Sequence, residues 1–353
     1  MNRIDTITRS IRPGDRAAAE AAKNRWDSIA KPLGSLGTME EMITRIAALQ
    51  ATADVRLDRR ALLVFCADHG VTAQGVSQCG SEVTARVAAA LAEGRSSVSP
   101  MADRAGCLVV PADVGIKDFP GHTGVRNLRV RNGTDDFSRG PAMSHEECLL
   151  AIERGADLVR EFAEDGTELF AVGEMGIGNT TAAAALASVL LDLPAEAVVG
   201  RGAGLNSAGL KRKRDAVRRA LAVNRPDSDD IHGLLAKVGG LEIAAMCGAI
   251  LGAAACRKPV IIDGVISAVA ALCAVRLCPD AADALLASHV SAEPAGSELL
   301  KALGLRAPLD AGMYLGEGAG AVMLMPLLDL TLSLYRSGQD FARLGIEAYQ
   351  PQK

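Results

Sequence analysis

The sequence predicts an α/β protein built on a mainly parallel sheet, and three observations predict it. Short β-rich runs alternate with Ala-rich helical stretches from residue 61 onward, most of those runs end in loops carrying Asp, Gly or Glu, and both chain ends are helical in pattern with no strand signal. The runs are residues 61–66, 107–110, 169–172, 197–199 and 259–262, and the loops that follow hold Asp68-His69-Gly70, Asp113-Val114-Gly115, Gly173-Glu174-Met175-Gly176 and Asp263-Gly264. In a parallel sheet such loops gather beyond the carboxyl ends of the strands, where ligands bind.

Taken in order, residues 1–60 read as polar-rich helix, with Thr38-Met39-Glu40-Glu41 spaced as a capping box. Residues 61–329 form the large α/β unit, whose strand-end loops are expected to bind ligand. Within it, residues 119–141, rich in Gly, Asn, Asp and Arg, read as a long mobile loop. Residues 241–255 are apolar nearly all round after Glu242, the pattern of a buried helix packed closely on its neighbours. Residues 330–353 read as an amphipathic helix with a polar end that packs against the N-terminal helices. The expected architecture is a doubly wound, mainly parallel Rossmann-like sheet with a small helical domain built from both chain ends.

Composition excludes several roles. With 353 residues, 49% hydrophobic and a net charge of −4, the chain can bury a large core. An acidic balance and only 3% aromatic residues offer neither a charge footprint nor stacking platforms for nucleic acid. The uncharged stretch 175–191 contains Gly176, Gly178, Asn179, Thr180 and Thr181, poor material for a membrane span. The first residues are charged and lack an apolar segment, so the expectation is a cytoplasmic protein. The 8 cysteines form no C-x-x-C pair and read as small buried hydrophobes, with Cys66 at a strand end the one weighed as a nucleophile. The 5 histidines show no metal-binding spacing, although Asp68, His69, Asp113 and His289 could meet in space.

Three glycine-rich segments carry the chemistry. Gly316-Glu317-Gly318-Ala319-Gly320 places a carboxylate between glycines at the entrance of an apolar helix. Glu317 is there a candidate for acid–base work, against the plainer reading of a capping turn complementing the helix dipole. The spacing Gly316-x-Gly318-x-x-Ala321 also mimics a dinucleotide fingerprint, which keeps a dinucleotide-dependent oxidoreductase as the rival enzymatic reading. Gly173-Glu174-Met175-Gly176-Ile177-Gly178-Asn179-Thr180-Thr181 follows a strand run and opens a helix, so glycines, hydroxyls and free amides form an anion cradle. It lacks the Lys of a Walker A loop. Gly200-Arg201-Gly202-Ala203-Gly204 repeats the design and precedes the basic run Lys211-Arg212-Lys213-Arg214. Two glycine loops with lysines close behind fit one sugar phosphate better than two unrelated turns. A non-catalytic nucleotide-binding module is the alternative from another class.

Eight blocks in order, Lys31-Pro32-Leu33-Gly34-Ser35-Leu36-Gly37, Ala67-Asp68-His69-Gly70-Val71, residues 173–181, 200–204, 239–245 and 262–264, Ser288-His289-Val290-Ser291-Ala292-Glu293-Pro294-Ala295-Gly296, and residues 316–320, together resemble the nicotinate-nucleotide:dimethylbenzimidazole phosphoribosyltransferase family. The resemblance runs from about residue 20 to about residue 330. It implies transfer of a 5-phosphoribosyl group from nicotinate mononucleotide to a benzimidazole nitrogen, with Glu317 as general base and Glu174 beside it. It places Gly176, Gly178, Asn179, Thr180, Gly202, Gly204 and Lys213 at the phosphate, Asp263 and Ser291 around ribose and nicotinate, and Ser77, Met175 and Leu315 at the azole base. It implies a homodimer with small-molecule substrates and no metal or redox cofactor, since the pyridinium leaves as a neutral ring and needs no general acid. The chain departs from the family pattern at Cys79, Gly80 and Arg86, next to Ser77, which leaves the accepted azole open while the reaction type stands.

Overall fold

A computed structural model describes residues 3–350. Its main sheet contains β1 (Arg60–Ala67), β2 (Cys107–Gly115), β3 (Arg126–Asn127), β4 (Leu169–Met175), β5 (Val260–Ile262) and β6 (Leu285–Ala287), in the order β3-β2-β1-β4-β5-β6 and parallel throughout. A separate parallel pair joins β7 (His289–Ser291) to β8 (Leu309–Met313). The chain winds outward from β1 to β3, then crosses back to the other side of β1 to lay down β4, β5 and β6. That reversal, between β1 and β4, is the switch point at which a doubly wound sheet opens a crevice.

β1 shows why the sheet is covered on both faces. Ala61, Leu63, Phe65 and Ala67 belong to one core cluster, and Leu62, Val64 and Cys66 to the other, all of them buried. Period-2 alternation sends successive side chains to opposite faces, so an all-apolar strand demands a helical layer on each side. On the first face lie the helices His145–Glu164, Asn179–Leu190, Leu241–Ala255 and Val265–Leu277, and on the second the helices Thr38–Gln50 and Ala319–Ser337. By length and composition the helix Ala319–Ser337 could cross a membrane, but more than half of it is buried in this fold, its apolar face forming the second core layer.

The chain ends meet on that second face. Trp26 and Tyr335 pack with ring centroids 4.9 Å apart, Arg25 donates to the carbonyls of Tyr335 and Arg336 at 2.7 Å each, and Ile29 pairs with Asp340 in an antiparallel bridge. We propose that these joined ends act as a small helical domain. Residue 330 falls within a continuous helix rather than at a linker.

Several expectations need correction. Residues 197–199 lie at the end of the one-turn helix Ala195–Val198, not in a strand. Val198 and Val199 are buried in the first core, and so short an apolar run cannot signal its own conformation. Residues 119–141 carry the edge strand β3, fixed by bonds from Leu128 N to Asp113 O at 2.9 Å and from Val130 N to Val114 O at 2.8 Å. Thr38 opens its helix without capping it. Gly37 is the cap residue, and the Glu40 carboxylate instead accepts from Leu36 N at 2.9 Å and pairs with Lys31 at 2.7 Å.

Candidate active site

Two turns meet where β4 ends. β4 delivers Glu174 and Met175, then Gly176-Ile177-Gly178, and the helix Asn179–Leu190 begins with no side chain capping it. The Asn179 side-chain amide donates to Glu174 Oε2. Opposite, β8 runs into Gly316-Glu317-Gly318, whose φ values of 86°, 57° and 83° are all left-handed, before the helix Ala319–Ser337. A left-handed Glu costs energy that surrounding contacts must sustain, and such residues cluster at functional sites. The contacts are visible here. Glu317 Oε2 accepts the Val98 N–H at 3.1 Å, and the turn lies so close on β4 that a Cβ on Gly173 would stand 2.6 Å from Gly318 N.

Asp263, just after β5, reaches across to the same turn. Its Oδ1 accepts from Gly320 N at 2.7 Å and from Ala321 N at 3.2 Å, so a carboxylate already holds the first amides of the helix. This removes the dinucleotide reading, because the pyrophosphate would have to take those amides.

Glu174 feels the charges of three other carboxylates, Asp263, Glu242 and Glu317. Burial, then Asp263 and Glu242, then Glu317, push Glu174 up to about 8, against the opposing Asn179 hydrogen bond. Burial pushes Asp263 up to about 6, with the backbone amides it accepts working the other way. Glu174 therefore carries a proton at neutral pH and spares the cluster one negative charge. Beneath it, His69 Nε2 and Glu242 Oε1 lie 2.7 Å apart with no exposure of either side chain.

The second glycine loop sits on the helix Ser207–Asn224. Lys213 from that helix is fully buried and donates to Thr180 Oγ1 at 2.8 Å and to Gly200 O at 3.2 Å, which ties the two loops together. Burial pulls the Lys213 ammonium down to about 8, with Glu293 opposing the shift. Gly202 N donates to Glu293 Oε1 at 3.0 Å.

These turns enclose a cavity of about 320 Å³. Glu174, Met175, Gly176, Gly178, Asn179, Thr180, Gly202, Asp263, Ser291, Leu315, Glu317 and Ser77 line it. Of the predicted residues Gly204 and Lys213 alone do not, Lys213 standing behind Thr180 and Gly204 beside Gln78. Apolar walls come from Val76, Val83, Val87, Leu205 and Tyr314, none of them singled out in the sequence because isolated apolar residues there carry no pattern. Glu293 was also missed, although it lies two residues after Ser291 in a segment already noted.

Of the remaining candidates, His289 also lines the cavity, while Cys66, Asp68, His69 and Asp113 lie outside its lining. Cys66 is buried, its thiol pushed well up by burial first and by Asp113 next, so it is core and not a nucleophile. Asp68 is occupied by Thr84 Oγ1 and Lys117 N, Asp113 by Arg129, and His289 Nδ1 by Ser288 Oγ at 3.0 Å. Among the described residues no three His, Cys, Asp or Glu side chains group as metal ligands.

Known proteins are similar to this chain over nearly its whole length. A sequence model of the family described as Phosphoribosyltransferase matches residues 11–346. The nicotinate-nucleotide–dimethylbenzimidazole phosphoribosyltransferase of Acetivibrio thermocellus is 41% identical over 94% of this chain and 95% of its own, and that of Desulforudis audaxviator 42% identical over 97% and 98%. The crystal structure of CobT from Thermus thermophilus superposes with a TM-score of 0.89 at 41% identity, covering 94% of this chain and 100% of that one. Sequence model, relatives and fold agree, and the chain belongs to the nicotinate-nucleotide–dimethylbenzimidazole phosphoribosyltransferase family.

Proposed function

We propose that this enzyme transfers the 5-phosphoribosyl group from nicotinate mononucleotide to 5,6-dimethylbenzimidazole or a related azole, giving α-ribazole 5′-phosphate and nicotinate for cobalamin biosynthesis. The observation that carries the reading is the convergence, in one cavity, of a glutamate in a left-handed turn with two glycine loops joined by a buried lysine.

The donor is a β-nucleotide and the product an α-riboside, so the azole enters the face opposite the departing nicotinate in a single displacement. As its nitrogen bonds to the ribose carbon, the azole must shed its N–H proton, and Glu317, held at the turn by Val98 N, is the base we assign to take it. The nicotinate ring leaves with the bonding electron pair and becomes neutral, so its departure needs no acid. Glu174, protonated at neutral pH, steadies the neighbourhood of Glu317 without adding a second charge. The carboxyl cluster also favours positive charge at the ribose carbon as the old bond lengthens. Phosphate is assigned to the loop and helix entrance at Gly176, Gly178, Asn179 and Thr180 and to the loop Gly202–Gly204, with Gly204 outside the cavity lining and Lys213 behind Thr180, ribose and nicotinate to Asp263 and Ser291, and the azole to Ser77, Met175 and Leu315 with the apolar wall around them. Turnover is expected without metal or redox cofactor.

We further propose a cytoplasmic homodimer. Met323 and Leu330, seven residues apart on the helix Ala319–Ser337, are exposed on one face, which suits a second copy of the chain and would read as twice the chain mass by light scattering. The activity is tested by incubating the protein with nicotinate mononucleotide and a panel of azoles and identifying products by mass. The expected products are the riboside phosphate and nicotinate, whereas tight binding with no nicotinate released for any azole would leave a nucleotide-binding module instead.

A further inference from the structure

Glu293 takes no part in the reaction outlined above, yet the second glycine loop is built around it. Its Oε1 accepts the Gly202 N–H at 3.0 Å, one of the amides assigned to substrate phosphate. A Cβ on Gly200 would meet the Glu293 carboxylate and stand 2.6 Å from Cδ of the Pro294 ring, so glycine there gives the loop room to lie against Glu293. It is the charge that works against burial at Lys213, whose ammonium donates, among the described residues, to the neutral acceptors Thr180 Oγ1 and Gly200 O. Glu293 is part-buried and faces the same cavity.

We propose that Glu293 is an internal counter-anion of the phosphate cradle, holding the empty loop in its binding shape and giving way to the phosphate group when substrate enters. The inference rests on the phosphate assignment under Proposed function. A phosphate dianion accepting from Gly202 N would stand within hydrogen-bond reach of the atom that the carboxylate now holds, and two anions cannot share one N–H without strong repulsion. The phosphate then supplies the charge that Lys213 lacks, and the side chain of Glu293 swings off the amide. Glu293 is a positioning residue on this account. It keeps a buried cation and a glycine loop ordered in the empty enzyme, at the expense of substrate affinity.

The test uses isothermal titration of inorganic phosphate and of nicotinate mononucleotide into the wild type and Glu293→Gln, with thermal melts of each protein empty and saturated with phosphate. Removing the competing charge should tighten phosphate at least about tenfold, since a hydrogen bond to a charged group is no longer contested. The empty variant should melt below the wild type, and saturating phosphate should raise it further than it raises the wild type. Unchanged or weaker phosphate binding in folded Glu293→Gln overturns the counter-anion role while leaving the cradle in place. If the wild type binds neither phosphate nor nicotinate mononucleotide, the cradle assignment falls first and the counter-anion with it. Should Glu293→Gln fail to fold, Glu293→Asp retains the charge and shortens the reach to Gly202 N. Phosphate should then bind tighter by a smaller factor, and no change would count against the proposal.

Discussion

Replacing Lys213 by Met separates stability from binding. The ammonium is fully buried, and burial lowers it from 10.5 to about 8. That lowering corresponds to roughly 3 kcal/mol by which the folded state disfavours the charged form. The sign follows from proton counts. Between about 8 and 10.5 the unfolded chain holds the proton and the folded chain does not, so this group's contribution to stability is complete above 10.5 and is lost as pH falls through about 8. Met keeps most of the volume and removes the charge, but it strands Thr180 Oγ1 and Gly200 O, at roughly 1–2 kcal/mol. The balance at neutral pH is a gain of about 1–2 kcal/mol, or roughly 2–3 °C in Tm for a chain of this size. The gain should disappear above pH ~10.5, where the wild-type lysine is neutral as well. Phosphate affinity should meanwhile drop roughly 10–100-fold, while binding of the free azole is unchanged. Calorimetric melts across pH 6 to 11, paired with titration of phosphate and of the azole, read all of these. A folded Lys213→Met protein that is less stable at neutral pH and binds phosphate as well as the wild type would refute the reasoning, leaving Lys213 a structural strut.

The other predictions are shorter. Glu317→Gln preserves shape without basicity, and turnover should fall roughly 10²-fold or more with nicotinate mononucleotide still bound; near-normal turnover in folded protein would remove Glu317 as the base. Gly173→Ala brings a methyl to 2.6 Å from Gly318 N, so it should displace the Glu317 turn and lower kcat at least about tenfold in a protein with unaltered circular dichroism, and a normal kcat would show that the turn's position is not critical. Glu174, raised from 4.5 to about 8, lends stability that is full below 4.5 and lost as pH rises through about 8, so Glu174→Gln should melt above the wild type at pH 9 and lose that advantage by pH 4. An unaltered pH dependence in that variant would place the proton on another member of the cluster.

What the sequence disclosed depended on how far each signal reached. β1, β2, β4 and β5 were legible because apolar runs bounded by Gly or Asp mark buried parallel strands, whereas β6 and β7, no shorter than β5, are separated by Ser288 alone with no Gly or Asp turn to delimit either. The glycine loops were legible as loops because glycine density is a local property. Their partners were not. Asp263 lies 57 residues from the Gly320 amide it caps, and Glu293 lies 91 residues from the Gly202 amide it occupies, separations that no motif spacing encodes. Glu40 reaching back to Leu36 defeated the capping-box reading for a related reason, since Gly37 adopts a left-handed φ of 54° and takes the cap position itself. The family blocks filled part of this gap by naming residues, but only the fold shows which of them touch.

The helix Ala319–Ser337 has an end at each of two places that matter. Its first amides are gripped by Asp263 beside the Glu317 turn, and its last carbonyls by Arg25 near Trp26. At 1.5 Å per residue those ends stand roughly 28 Å apart, joined by a single stiff rod broken in sequence only by Pro326. We expect the rod to work as a lever, so that a tilt imposed at the chain-end helices would reach the Glu317 turn at its far tip, and the position of that turn would rest in part on residues distant from the cavity.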